Sequence, residues 1–101
     1  MRVIVFFDLP TLTPAERGAY NQFRKFLIKD GFFMMQESVY CKLALNQNSA
    51  NAIILHLKAN KPESGLVQVL VITEKQYSSM EMIVGEKQSD IVDSTERMIV
   101  L

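Results

Sequence analysis

The sequence predicts an α+β domain in which two helices cover one face of a four-stranded sheet. Three observations carry that prediction. The chain opens on a short apolar run, Val3-Ile4-Val5-Phe6-Phe7. Strand-like and helix-spaced segments then follow in the order strand, helix, strand, strand, helix, strand. The whole has 101 residues, 49% of them hydrophobic, which is enough for one modest core and leaves no room for a second.

The first strand covers Arg2 to Phe7 and ends at Asp8, ahead of Leu9-Pro10. Thr13 then serves as an N-cap, with Pro14 at the first helical position and Glu16 completing a capping box. This helix runs to Asp30 and stops at Gly31. At 100° per residue, Ala19, Tyr20, Phe23, Phe26 and Leu27 share one face, and Arg17, Arg24, Lys25 and Lys29 fall opposite. Phe32 to Gln36 and Glu37 to Leu43 read as two strands joined tightly, since aromatic and β-branched residues recur and the second run alternates. Asn46 to Asn51 is polar and leads into a second helix with Ala50, Ile53, Ile54 and Leu57 at helical spacing, stopped by Asn60, Pro62 and Gly65. Leu66 to Thr73 is the fourth strand. This order is the split βαβ, or ferredoxin-like βαββαβ, arrangement.

Residues 1–76 complete that core. Residues 77–101 have no internal place in a four-stranded unit, so Met80 to Val84 and Met98 to Leu101 are expected as short strands linked through Gly85 to Ser94, contacting partners and completing a dimer. No repeat or low-complexity segment is present.

A dimer follows from the alternation of the strands. Val3, Val5 and Phe7 make an apolar face suited to the helices, whereas Arg2, Ile4, Phe6 and Asp8 make a face with an apolar centre and charged ends. On the third strand, Val39, Cys41 and Leu43 are expected against the helices, with Ser38, Tyr40 and Lys42 on the face that holds Asp8. Two such sheets stacked about a two-fold axis would bring two copies of Asp8 together. Magnesium takes one or two protein carboxylates and fills its octahedron with water and phosphate oxygens, so an Asp8 pair suits magnesium or manganese. The single cysteine, Cys41, and the single histidine, His56, exclude a cysteine–histidine zinc cluster. Cys41 is expected as a small buried hydrophobe and His56 as a mid-helix residue without a catalytic role.

The net charge is zero, from 11 basic and 11 acidic residues, which argues against strong nucleic-acid binding by the chain as a whole. The charges are nevertheless segregated: residues 1–62 hold eight Lys/Arg against four Asp/Glu, and residues 63–101 hold three against seven. A basic half can meet phosphates locally, and Arg17, Arg24, Lys25, Lys29 and Lys42 are the candidate contacts. No apolar run reaches the roughly 18 residues of a membrane span, and a cytoplasmic protein is expected.

Four segments carry a family resemblance. Phe6-Phe7-Asp8-Leu9-Pro10, Phe23-Arg24-Lys25-Phe26-Leu27 ahead of Gly31-Phe32, Gln36-Glu37-Ser38-Val39-Tyr40, and Ile72-Thr73-Glu74-Lys75-Gln76 resemble the CRISPR-associated protein 2 family, the small subunit of the complex that captures new spacers. Ser38-Val39-Tyr40 and Thr73-Glu74-Lys75-Gln76 are similar in particular to the type II form. The resemblance implies a homodimer, a metal site at Asp8 and a bridge between two integrase dimers on duplex prespacer DNA. Some members of that family cleave RNA or duplex DNA with magnesium, and the resemblance carries that activity here as an expectation. Glu37 departs from the neutral or aromatic residue common in relatives, and would weaken phosphate binding if it faced the groove.

Two function classes therefore stand side by side, an architectural subunit of spacer acquisition and an endonuclease centred on Asp8. For the second, no general base is evident beside Asp8, although Ser38 and Tyr40 could orient a phosphate. The bland reading of Asp8 is a turn residue that bonds nearby backbone N–H groups. A small-molecule regulatory domain finds no support, since no glycine-rich ligand loop is present.

Overall fold

The computed structural model describes residues 1–85. Seven elements follow one another: β1 (Arg2–Asp8), α1 (Pro14–Lys29), β2 (Phe33–Gln36), β3 (Val39–Leu43), α2 (Gln47–Ala59), β4 (Leu66–Ile72) and α3 (Glu74–Ser78). The sheet has the order β2-β3-β1-β4, with every neighbouring pair antiparallel. This is the ferredoxin-like topology, and α1 and α2 cover one sheet face.

The start of α1 is fixed chemically. Thr13 Oγ1 accepts from the Glu16 amide and Glu16 Oε1 accepts from the Thr13 amide, so both halves of the capping box form. At its other end the Asp30 amide donates to the Phe26 carbonyl, and Gly31 turns the chain away at φ 99°.

Val3, Val5 and Phe7 enter the core with Phe23 and Leu27 of α1 and Ala50 and Leu57 of α2. Phe7 anchors an aromatic cluster, its ring 5.2 Å from Phe23 in edge-to-face contact and 5.7 Å from both Tyr20 and Tyr40. Val67, Val69 and Val71 of β4 pack beneath the same helices.

The face assignment of β3 expected from alternation is inverted. Val5 pairs with Tyr40 and Val3 with Lys42, so Tyr40 and Lys42 lie on the helix side, while Ile4 pairs with Cys41 on the open side. Tyr40 is 1% exposed and belongs to the core. Its ring area outweighs its hydroxyl in choosing a face. Lys42 reaches past the Phe32 ring to donate to the Asp30 carbonyl, where a cation complements the C-terminal end of α1. Cys41 is fully buried as expected, but on the open face.

α3 is a second difference. Thr73 and Gln76 form a complete capping box that starts one turn of helix immediately after β4. Residues 80–85 form no strand within the protomer, and Met98 to Leu101, expected as a strand, lie outside the described residues.

Candidate metal site and nucleic-acid surface

Asp8 closes β1, exposed, on the sheet face that no helix covers. Strand pleating puts it on the side of Phe6, Ile4 and Arg2, and its register partner on β4 is Leu66. Gly65, the residue before Leu66, fixes this end of the sheet. It has φ 96°, and a Cβ added there would lie 2.6 Å from Leu9 Cδ2 and 2.9 Å from the Asp8 carbonyl oxygen. Only glycine lets β4 approach the Asp8-Leu9 backbone this closely.

A hard carboxylate oxygen at this strand end is the right donor type for magnesium. Among the described residues no three His, Cys, Asp or Glu side chains converge on a metal position. Asp8 is the one acidic residue on the four described strands, and a symmetric second copy of the chain would supply a second such carboxylate.

The hydroxyls expected beside Asp8 lie elsewhere. Tyr40 is in the core, and Ser38 Oγ is 3.3 Å from Tyr20 Oη on the helix side. Neither shares the Asp8 face. Glu37 is exposed in the two-residue β2–β3 turn beside Ser38, whose φ is 65°. The polar neighbour that alternation does supply is Gln68, exposed and paired with Phe6 on the open face. Its signal in the sequence is the single polar residue inside Leu66-Val67-Gln68-Val69-Leu70-Val71-Ile72.

The basic residues of α1 belong to the opposite layer. Lys25 and Lys29 are exposed and Arg24 is half-buried, along one side of the helix. Arg17 Nη1 donates to the Thr11 and Leu12 carbonyls at 3.2 and 3.0 Å, which ties it to the loop before α1. Lys42 is held at the C-terminal end of α1, 3.7 Å from Asp30 Oδ2. His56 Nδ1 lies 3.0 Å from Asp30 Oδ1, so the α1 C-cap joins α1, α2 and β3. Within one protomer, Asp8 and the five candidate cations therefore form no single composite site. An open groove of about 810 Å³ between α1 and the loop after α2, floored by Phe23 and Phe26, is also on the helix side and does not include Asp8.

The other charged constellation of the open face was not expected from the sequence. Arg2 Nε donates to Glu74 Oε2 at 2.8 Å, and its guanidinium carbon sits 4.2 Å from the Tyr77 ring centroid. This bond holds the Glu74 carboxyl below the ordinary glutamate range. Burial pushes the neighbouring Cys41 thiol up, partly offset by Arg2, so the thiol is not activated.

Comparison with known proteins adds an independent line. A family model described as CRISPR associated protein Cas2 matches residues 1–80. The CRISPR-associated endoribonuclease Cas2 of Treponema denticola is 54% identical over 101 residues, covering 100% of both chains. A Streptococcus mutans protein of the same name is 46% identical over 101 residues, covering 100% of this chain and 93% of its own. Among solved structures, Streptococcus pyogenes Cas2 at pH 6.5 matches with a TM-score of 0.62 at 21% identity, covering 83% of this chain and all of that one, a likeness of fold.

Proposed function

The chain belongs to the CRISPR-associated Cas2 family, and from that premise we propose that it serves spacer acquisition as a homodimer bridging integrase dimers on duplex prespacer DNA. The observation that carries this reading is the open sheet face. At the centre of the helix side Val3, Val5, Phe7 and Tyr40 are closed to water within one protomer, whereas Phe33, Leu43, Leu66 and Leu70 remain 45 to 55% exposed on the other side. A contiguous apolar sheet face of this kind suits a flat isologous contact with a second copy. Such a dimer would place the α1 layers on its two outer sides, where Arg17, Arg24, Lys25 and Lys29 can meet a phosphate backbone without reading bases. Residues 77–101 would then complete the dimer and meet the integrase. Deleting Met98 to Leu101 should abolish capture of the integrase subunit in a purified two-component binding assay. Full-affinity capture by the truncated chain counts against this reading.

A second reading is a metal-dependent endonuclease. It is favoured by the exposed carboxylate of Asp8 and by the endoribonuclease name carried by the relatives. Asp8 and its copy across the two-fold axis would hold the ion, magnesium or manganese, and the ion would supply charge stabilisation at the scissile phosphate. The protein's own part is to fix both carboxylates on rigid strand ends, which Gly65 supports by letting β4 close against Asp8. Single-stranded RNA and duplex DNA incubated with matched preparations of wild type and Asp8→Ala, in magnesium and in chelator, test it. Metal-dependent cleavage by wild type alone supports the enzyme, and equal cleavage by both removes Asp8 from it.

A further inference from the structure

Among the described residues the strands of the open face carry one basic side chain on that face, Arg2, and Glu74 already pairs with it; the Met1 amine stands 3.8 Å from the same carboxylate. Register pairing places Arg2, Ile4, Phe6, Asp8, Cys41, Leu43, Gln68 and Leu70 on this face. Arg2 does not project away from it. Its guanidinium bonds Glu74 Oε2 at 2.8 Å, lies against Tyr77, is 5.9 Å from the Phe33 ring centroid and has Nη1 3.9 Å from Cys41 Sγ. The Arg2 side chain is only 20% exposed, so most of its desolvation has been met within one chain.

We propose that the Arg2–Glu74 pair is an intrachain gate on closure of the open face by a second copy. The proposal rests on the dimer reading above and adds a mechanism to it. A face this apolar can close only if its cation enters already paired, because an unpaired charge removed from water is costly. In a symmetric contact any unpaired cation is counted twice. Glu74 is placed for the task by the Thr73 cap, which starts α3 as soon as β4 ends. Tyr77, one turn later, presents its ring to the same guanidinium. α3 itself buries no side chain in the core, so its position depends on these contacts.

The test compares wild type, Glu74→Gln, Arg2→Met and the double variant Arg2→Met/Glu74→Gln by sedimentation equilibrium. Glu74→Gln should weaken the dimer about tenfold, the cost of one partly solvated charge left without its partner. The double variant, which removes the cation as well, should restore association to the wild-type value. Wild-type association in Glu74→Gln, or a double variant as weak as Glu74→Gln, overturns the gate. Amide hydrogen exchange on the same samples separates the gate from the dimer reading. If wild type is monomeric throughout, the dimer reading fails on its own. The pair is then judged by the amides of Tyr77, Ser79 and Met80, which bond within and just after α3. Faster exchange there in Glu74→Gln, with β1 unchanged, is the expected result. Unchanged exchange overturns the pairing that the gate requires.

Discussion

The two faces of the sheet are built by the same strands and finished in different ways. On the helix side, Val3, Val5, Phe7 and Tyr40 meet Phe23 and Leu27 and are closed to water. On the open side Ile4 and Cys41 are buried, but Phe33, Leu43, Leu66 and Leu70 stay half-exposed, with Asp8 at one end and Arg2 at the other. The first face makes the fold. The second holds the Asp8 carboxylate, the Arg2–Glu74 pair and an exposed apolar surface, the features on which the proposed metal site and self-association rest.

The sharpest way to break this comparison is to truncate one large side chain on each face. Tyr40→Ala should cost about 3 to 5 kcal/mol in urea unfolding, because a buried ring in an aromatic cluster leaves a cavity. Leu70→Ala, at 51% exposure, should cost under about 1 kcal/mol in the isolated protomer and express itself instead as weaker self-association. Equal losses in protomer stability for the two variants would mean that both faces are structural.

Next in size is Gly65→Ala. The added Cβ meets the Asp8 carbonyl oxygen and Leu9 below normal contact distance at a positive φ, so a loss of about 1 to 3 kcal/mol in thermal or urea unfolding is expected. It should also shift the amide resonances of Asp8 and Leu9, which an ordinary surface substitution would leave in place.

The same comparison explains what the sequence made legible. Element order and the α1 cap could be read directly, because Thr13, Pro14 and Glu16 act locally and need no knowledge of tertiary contacts. Asp8 could be placed on the open face from β1 alone, since Phe7 and Val5 so plainly belong to the core. The orientation of β3 could not. Alternation divides Ser38-Tyr40-Lys42 from Val39-Cys41-Leu43 but does not say which set turns inward, and counting polar atoms favours the wrong one. Tyr40 is an aromatic ring with one hydroxyl, and Lys42 is an apolar stem whose ammonium finds the end of α1. α3 did leave a signal, Thr73-x-x-Gln76, but five residues are too few to show a helical period. The contact of Arg2 with Glu74, 72 residues away, requires the register of β4 on β1, which no local pattern contains.

Lys42 sharpens the division between structural and nucleic-acid-binding cations. Lys42→Met should lower protomer stability by about 1 kcal/mol through lost contact with the α1 terminus, and leave the salt dependence of DNA binding unchanged. Lys25→Met and Lys29→Met should do the reverse, each reducing the slope of log binding constant against log salt by about one for every phosphate contact removed. Competition of short duplex DNA at several salt concentrations measures the slopes. A shallower slope in Lys42→Met would return that residue to the binding surface.

The smallest effect is the pH dependence of the open-face corner. Its sign follows from the Glu74 carboxyl, which Arg2 holds below the ordinary glutamate value, with the Met1 amine adding a weaker attraction at 3.8 Å. The folded protein therefore binds the Glu74 proton less readily than the unfolded chain does. The stabilisation is complete above the ordinary glutamate pKa of about 4.3 and is lost as pH falls through the lowered folded value. Cys41, whose thiol also faces Arg2, has its pKa raised by burial and stays neutral throughout this acid range. Exchange at Tyr77, Ser79 and Met80, corrected for the intrinsic pH dependence of amide exchange, should thus accelerate on acidification through that window in wild type and be insensitive to pH in Glu74→Gln. High salt should shrink the difference, because Glu74 is half-exposed and its attraction to Arg2 is screened. The amides of Val3 and Val5, which burial rather than charge protects, serve as the internal reference for both comparisons.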